Sequence, residues 1–106
     1  MRGEIWTVCA SGYASKPRPA VIVQSDKVEG FDSTIVCLFT TDDSISAPTR
    51  VKATPTEENG LSQTCWIMAE KPIAIKKSTL GIRTGTLDSE TLSELDAALR
   101  IVLELD

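Results

Sequence analysis

The apolar segments of this sequence are short, and no other feature constrains the fold as strongly. No uninterrupted apolar run, such as that from Ile35 to Phe39, is longer than five residues, and clusters of Gly, Pro, Ser and Asp separate such segments from one another. Short apolar runs bounded by turn residues are typical of β-strands. Because 106 residues is the size of one small domain, we expect a single, mainly β domain over residues 1–106.

Apolar and β-branched residues dominate seven segments of the chain. The segments at 20–23 and 34–40 are apolar on both faces, which predicts burial on both sides of a sheet. Strands are predicted at residues 5–9, 20–23, 34–40, 50–54, 63–69, 73–75 and 81–86, and the sixth extends or follows the fifth. Five to seven short strands predict a small, strongly curved sheet or half-open barrel.

The C-terminal segment has helical periodicity instead. Leu92, Leu95 and Leu99 recur at helical spacing, with acidic residues between them. Asp88 stands where an N-cap is expected, and Leu87 is placed to form a hydrophobic staple with Leu92. The predicted fold class is therefore mainly β with one C-terminal helix.

The sequence contains no histidine, which excludes several kinds of site. Ser-His-Asp and Cys-His catalytic arrangements and His-based zinc sites all require that residue. The three cysteines, Cys9, Cys37 and Cys65, form no Cys-x-x-Cys pair, so we expect reduced, packed thiols and no metal site. The N-terminus does not resemble a signal peptide and no apolar run is long enough to span a bilayer. We therefore expect a cytoplasmic protein without membrane contact.

Negative charge is concentrated near the C-terminus. The chain has a net charge of −4, but residues 88–106 hold six of its 15 acidic residues and a single basic residue, Arg100. Residues 1–87 hold ten basic and nine acidic residues. The body of the protein is therefore free to present a basic face to an anionic partner, despite the acidity of the whole chain.

Four motifs follow one another along the chain. Residues 2–6 read Arg-Gly-Glu-Ile-Trp, and residues 18–26 read Arg-Pro-Ala-Val-Ile-Val-Gln-Ser-Asp. An apolar strand ends in two threonines at residues 35–41, and Ala-Glu-Lys-Pro-Ile occupies residues 69–73. Taken together, these motifs resemble the MazF/PemK (Kid-like) toxins, the toxin half of bacterial toxin–antitoxin pairs. The resemblance extends over essentially the whole chain, including the helix.

This resemblance implies both a fold and an activity. The implied fold is an SH3-like barrel with a C-terminal helix, assembled as a homodimer. The implied activity is cleavage of single-stranded RNA without a metal or cofactor, in which the ribose 2′-hydroxyl is the nucleophile and a 2′,3′-cyclic phosphate is left. The implied partner is a cognate antitoxin of the MazE/PemI type, which lays a flexible segment over the RNA groove. DNA is then contacted only indirectly, through an antitoxin complex.

Arg18, Thr40 and Glu70 are the candidate catalytic residues that the resemblance selects. RNA cleavage by the adjacent hydroxyl requires that the extra negative charge on the phosphorane be stabilised, and a guanidinium matches two phosphate oxygens. Arg18 lies between Pro17 and Pro19, which stiffen its backbone, so it is well placed as a phosphate clamp. Thr40 is the last residue of an apolar strand, so the rigid strand backbone fixes the position from which its hydroxyl can reach a phosphate.

Glu70 is the one acidic residue between 65 and 75, and apolar residues surround it in sequence. A carboxyl group near apolar residues is expected to have a raised pKa and to act as a base. The alternative is an ion pair with Lys71 or Arg18. Some members of the family carry an arginine two positions before this acid, where the present chain has Met68, and Lys71 replaces a common Gln.

Several other polar side chains are candidates for the RNA path. Tyr13 offers a ring on which a base can stack. The candidate RNA-binding residues are Lys16, Thr41, Arg50, Lys52, Lys71, Lys77 and Tyr13, with Lys76 and Arg83 as further cations. Taken singly, each charge is more typical of a solvated surface than of a binding site. Trp6 and Trp66 lie on predicted strands, which indicates a place in the core or at a dimer interface.

Two alternative functions belong to other classes. A DNA gyrase inhibitor like CcdB shares the fold but acts on a topoisomerase, and the Arg-Pro and Thr-Thr motifs do not favour it. A non-catalytic SH3-like binding module needs several exposed aromatic residues for a peptide groove, and this chain has five aromatic residues in all. The RNA-cleaving toxin is therefore the leading hypothesis.

Overall fold

A computed structural model describes residues 1–9 and 16–105 of the chain. Within these residues, seven strands precede a single α-helix, with a short 3₁₀ turn at Lys77–Thr79 after the sixth strand. The elements are β1 (Glu4–Val8), β2 (Arg18–Ile22), β3 (Ser33–Thr40), β4 (Arg50–Ala53), β5 (Cys65–Met68), β6 (Ile73–Lys76), β7 (Leu80–Thr86) and α1 (Ser89–Leu103). The predicted fold class, mainly β with a C-terminal helix, is confirmed, and the strand number is the highest that was expected.

The seven strands form one antiparallel sheet: six follow the order β4-β5-β3-β2-β1-β7, and β6 pairs with β3 off this path. β3 is the longest strand and is central, because it pairs with β2 along one edge and with both β5 and β6 along the other. The sheet curls, so that the segment after β4 meets β7: the Thr86 N–H donates to the Glu58 carbonyl at 2.8 Å. This contact joins the two ends of the strand order and closes the barrel.

The two faces of the sheet carry different apolar clusters. The main core lies between one face and α1, and it includes Ile5, Val21, Cys37, Ile67 and Leu95, each fully buried. Residues of alternate position in the same strands form a second cluster on the other face, consisting of Val8, Ala20, Ile22 and Val36 with Trp6, Leu38, Ile75 and Leu80 packed against it. β2 and β3 are therefore buried on both faces, as their apolar sequences predict.

The helix begins and is anchored as its sequence predicts. The Asp88 side chain accepts a hydrogen bond from the Thr91 backbone N–H at 3.1 Å, which satisfies a backbone donor of the first turn. Leu87 is buried in the main core, and Leu92 packs against it. An ion pair between Arg2 and Asp96 joins the start of the chain to the middle of α1.

The cysteines divide into two groups. Cys37 and Cys65 are buried, and burial, with a smaller contribution from the charge of Glu70, raises the pKa of the Cys37 thiol to about 11. Cys9 is exposed, so the expectation of three packed thiols is wrong at that position, because the side chain lies just beyond the end of β1. In the part of the chain that the structure describes, no helix has the length and apolar character needed to cross a membrane.

Candidate functional site

Five side chains on the face that bears the second apolar cluster lie in one row across five strands. Val8 pairs with Arg18, Thr40 pairs with Trp66, and Trp66 pairs with Lys52. The β2–β3 register, continued two residues past its last bridge, sets Arg18 opposite Thr40. Directly opposed residues of antiparallel strands project from the same face. We call these five residues the cross-strand row; it brings Arg18, Thr40 and Lys52 of the predicted site together.

Thr40 ends β3 at the point where the chain turns away from the sheet. Its Oγ1 accepts a hydrogen bond from the Asp42 backbone N–H at 3.1 Å, which uses a lone pair and leaves the hydroxyl hydrogen available to donate. Asp42 in turn accepts from the Ser44 backbone N–H at 2.9 Å. Thr41 follows directly and is exposed. The hydrogen bond from the turn and the position of Thr40 at the end of β3 therefore fix the location of its hydroxyl group.

Arg50 and Glu70 form an ion pair beside the cross-strand row. Arg50 is the first residue of β4 and pairs with Met68 of β5, two positions before the carboxylate. Its Nε donates to Glu70 Oε2 at 2.8 Å, and its Nη2 lies 2.7 Å from the same oxygen. The Arg50 side chain is 7% exposed and that of Glu70 is 28% exposed. Glu70 Oε1 is buried and has no hydrogen-bond partner among the described residues.

The expectation of a raised pKa for Glu70 is wrong. The hydrogen bond from Arg50 outweighs the effect of burial and holds the pKa of this carboxyl below its ordinary value. The ion-pair alternative is the correct one, but the partner is Arg50 rather than Lys71 or Arg18. The pairing of β4 with β5 brings Arg50 to Glu70 across 20 residues of sequence, and that register cannot be read from the local sequence.

A cleft opens on the same face, beside Arg18. It encloses only about 50 Å³ between the ends of β1 and β2 and the β6 strand with its 3₁₀ turn. Its lining residues are Val8, Lys16, Arg18, Leu38, Ile73, Ile75 and Thr79. Neither Lys16 nor Arg18 forms an ion pair with any residue in the described ranges. Lys16, predicted to bind RNA, therefore lies with Arg18 at the rim of an apolar cleft.

The other predicted cations lie away from the cross-strand row. Lys76 pairs with Ser33, and the Lys77 N–H donates to the Asp32 carbonyl at 2.7 Å, so both lysines are at the start of β3. A strand of eight residues separates that end from Thr40, a distance of about 25 Å.

Lys71 is exposed in the turn after β5, and Arg83 on β7 is 3.2 Å from a Glu4 carboxylate oxygen. The structure thus does not bring Lys71, Lys77 or Arg83 into the cross-strand row. Tyr13 lies outside the described residues.

Trp66 and Thr79 belong to this face although the sequence interpretation gave neither a role in a site. Trp66 is half-buried between Thr40 and Lys52. The alternation in β5, where Cys65 and Ile67 are buried, is the sequence signal that places Trp66 on the opposite face. Among residues 1–9 and 16–105, no three His, Cys, Asp or Glu side chains come together as a group that could hold a metal ion.

Two comparisons of sequence give the same family. Residues 1–103 match the family described as the PemK-like, MazF-like toxin of type II toxin–antitoxin systems. The chain is 36% identical over 103 residues to a probable endoribonuclease MazF of Mycolicibacterium smegmatis, a match that covers 96% of this chain and 94% of that protein.

Solved structures of low sequence identity share the fold. An endoribonuclease in complex with its cognate antitoxin, from a mycobacterial species, superposes with a TM-score of 0.84 at 23% identity, covering 100% of this chain and 96% of that one. The Mycobacterium tuberculosis toxin MazF-mt6 gives a TM-score of 0.81 at 22% identity, with 97% and 98% covered. The match over residues 1–103 and the 36% identity show that this chain belongs to the PemK-like, MazF-like toxin family of type II toxin–antitoxin systems.

Proposed function

We propose that this protein is an endoribonuclease toxin that cleaves single-stranded RNA at the cross-strand row. The observation that supports the proposal is the row itself: the β2–β3 register, continued beyond the Ala20–Leu38 pair, aligns Arg18 with Thr40, and Trp66 and Lys52 continue the line on the same face. Family membership supports the proposal, since a relative of 36% identity is named as a probable endoribonuclease. The chemistry of these residues suits a phosphodiester.

Arg18 and Thr40 supply the groups that an RNA phosphorane needs. A guanidinium donates to two phosphate oxygens at once and remains charged at any physiological pH. The Thr40 hydroxyl has a hydrogen to donate, since its oxygen accepts from the backbone of Asp42. Both donors act on the charge that develops when the ribose 2′-hydroxyl attacks phosphorus, and the fold positions them before the substrate arrives.

Beyond the scissile phosphate, the cross-strand row supplies a path for the RNA strand. Trp66 presents part of its ring for stacking, and Lys52 is exposed beside it for the next phosphate. Thr41 and Lys16 lie at the two sides of this path, next to Thr40 and Arg18 respectively. Stacking and phosphate contacts of this kind bind single strands without requiring a duplex.

Glu70 acts here as a positioning residue. Its carboxylate is ionised, because Arg50 lowers its pKa, and both donors of Arg50 converge on one of its oxygens. The pair holds the start of β4 against the end of β5. It therefore also fixes the positions of Lys52 and Trp66, which lie on the same two strands. Arg50, with little exposed surface, serves the site through this contact.

We further propose a cytoplasmic homodimer that a cognate antitoxin inhibits. The mycobacterial relative of known structure was solved in complex with its own antitoxin, and the Deinococcus radiodurans relative is a MazE-MazF complex. Apolar side chains that the sheet and helix leave exposed, including Phe31, Ile35 and Ile73, favour association with a second copy.

The test is cleavage of a single-stranded RNA and of the same RNA with one 2′-deoxy residue at the scissile position. We expect the RNA to be cut in excess EDTA, where a two-metal nuclease stops, and the deoxy substrate to bind without being cut. The fragments should end in a 2′,3′-cyclic phosphate and a 5′-hydroxyl. Cleavage of the deoxy substrate contradicts the mechanism. No RNA cleavage, with DNA breaks trapped on gyrase, indicates the CcdB-like alternative, and neither activity indicates a binding module.

A further inference from the structure

The loop between β3 and β4 connects two residues of the proposed active site, because it begins after Thr40 and ends before Arg50. Asp42 lies near the start of this loop and is exposed. Its backbone N–H donates to Thr40 Oγ1 at 3.1 Å. A residue of the loop therefore contacts the hydroxyl group that we assign to the scissile phosphate.

The hydrogen bond from Asp42 restricts the rotation of the Thr40 hydroxyl. A hydroxyl oxygen has two lone pairs and one hydrogen, and the hydrogen rotates to suit its surroundings. Because the Asp42 N–H occupies one lone pair, the hydrogen is directed away from the loop. A donor that is oriented before the substrate arrives stabilises the charge of the phosphorane without reorganising during the reaction.

The Asp42 side chain holds this N–H in place by closing a turn. Its Oδ1 accepts a hydrogen bond from the Ser44 backbone N–H at 2.9 Å. Hydrogen bonds from the Ser44 side chain and backbone, and to a smaller extent the charge of Arg50, lower the pKa of the Asp42 carboxyl. The carboxylate is therefore ionised at neutral pH and acts only as an acceptor, which favours a single shape of the turn.

We propose that Asp42 is a positioning residue for Thr40: its side chain closes the turn, and the turn holds the backbone N–H that orients the Thr40 hydroxyl towards the scissile phosphate. The inference rests on the proposed function, because it concerns a donor of the same site. The negative charge of Asp42 opposes contact with a phosphate, so we expect it to act on the reaction through Thr40 and not through the RNA.

The first experiment compares single-turnover RNA cleavage by three variants with that of the wild type at saturating protein. We expect Asp42→Ala to lower the rate about 5–10-fold, because the orienting hydrogen bond is lost. Asp42→Asn keeps an oxygen that accepts from Ser44 and should stay within about twofold of the wild type. Asp43→Ala removes the neighbouring exposed carboxylate and is the matched control, which should cleave at the wild-type rate.

A double-mutant cycle with Thr40 separates positioning from a general loss of structure. Thr40→Val keeps the branched shape of the side chain and removes the hydroxyl. In this background Asp42→Ala should cause no further loss of rate, because the group that Asp42 orients is absent. A general loss of structure lowers the rate by the same factor in both backgrounds.

Hydrogen exchange tests the contact without RNA. The backbone N–H of Asp42 donates to Thr40 Oγ1, so its exchange should be faster in Thr40→Val than in the wild type. Thr40 is not adjacent to Asp42 in sequence, so the substitution leaves the intrinsic exchange chemistry of that N–H unchanged. Equal exchange rates in the two proteins overturn the contact on which the inference depends.

The outcomes separate this inference from the proposed function. Equal losses of rate in Asp42→Ala and Asp43→Ala, equal losses in Asp42→Ala and Asp42→Asn, or a full further loss in the Thr40→Val background each overturn the positioning role and keep the ribonuclease. No cleavage of any RNA by the wild-type protein overturns the proposed function, and the inference with it.

Discussion

Arg18 is the first residue of β2 and lies between two prolines. The β2–β3 register, continued two residues beyond the Ala20–Leu38 pair, brings it opposite Thr40. The Arg18 side chain is exposed and has no ion-pair partner among the described residues, so removing it costs the fold little. A substitution of Arg18 is therefore expected to change the cleavage activity with little change in the free energy of unfolding.

We expect Arg18→Ala to lower the rate of RNA cleavage about 10²–10³-fold, since one donor to an anionic transition state is lost. Arg18→Lys should recover part of this loss, because an ammonium keeps the charge without the two-oxygen geometry. Single-turnover cleavage of one RNA substrate measures both. Arg100→Ala, which removes an exposed arginine of α1, is the control. An Arg18→Ala protein as active as the parent places the site elsewhere.

The Arg50–Glu70 ion pair leads us to predict how the free energy of unfolding depends on pH. Arg50 lowers the pKa of Glu70 in the folded protein, so the contribution of the pair is complete above the ordinary value of 4.5 and is lost as the pH falls through the folded-state pKa. Glu70→Gln should lower the free energy of unfolding by about 1.5–3 kcal/mol at pH 7. The difference from wild type should shrink below pH 4.5.

Urea unfolding at pH 7 and at pH 3 measures this change. Glu57→Gln, an exposed carboxylate in the segment after β4, is the matched control and should change stability little at either pH. A Glu70→Gln protein with the same deficit at both pH values shows that the carboxylate charge is not the source of the stabilisation.

At the scale of the element, the N-cap of α1 is the local sequence feature that most clearly marks where the helix begins. Asp88 accepts from both the backbone N–H and the hydroxyl of Thr91, at 3.1 and 2.7 Å. These hydrogen bonds lower the pKa of Asp88, so the cap is strongest where the carboxylate is ionised.

Asp88→Ala should lower the free energy of unfolding by about 1 kcal/mol, because a backbone donor of the first turn loses its partner. Thermal unfolding followed by circular dichroism measures the change. Ser93→Ala, on the exposed side of the same helix, should be neutral or slightly stabilising, since alanine has the higher helix propensity. Equal losses in both variants contradict a specific cap.

At the scale of the whole molecule, closure of the barrel depends on a close approach of two backbones. The segment after β4 lies against β7, and a Cβ on Gly60 would overlap the Thr84 carbonyl oxygen. Gly60 also has φ +65°, a conformation that side chains disfavour. Gly30 has φ +85° but open space around it. A side chain at either position would be strained by the left-handed backbone, but only one at Gly60 would also collide with a neighbouring strand.

Gly30→Ala should therefore lower the free energy of unfolding by about 1–2 kcal/mol, from the left-handed backbone alone. Gly60→Ala should add about 1–3 kcal/mol to that loss, because the methyl group pushes β7 away from the segment after β4. Urea unfolding of both variants gives the difference. Equal losses contradict closure through this contact.

Local sequence was sufficient to predict most of the elements. Short apolar runs between turn residues gave strands close to those observed, and leucine periodicity with Asp88 gave the helix and its start. These signals are local: alternation and capping depend on residues within a few positions of one another. The motif order gave Arg18, Thr40 and Glu70 as candidates for the same reason, since each motif is a short contiguous segment.

Only the tertiary structure decided how those candidates meet. The register of β2 on β3, continued beyond its last bridge, brings Arg18 opposite Thr40. The register of β5 on β4 brings Arg50 to Glu70, and this ion pair lowers the pKa of Glu70, whereas the sequence predicted a raised one. The strand pairing also leaves Lys77 at the far end of β3. Strand register depends on pairing between residues distant in sequence, and a slip of one residue moves every side chain to the other face. That information is absent from any single segment and exists only once the strands are paired.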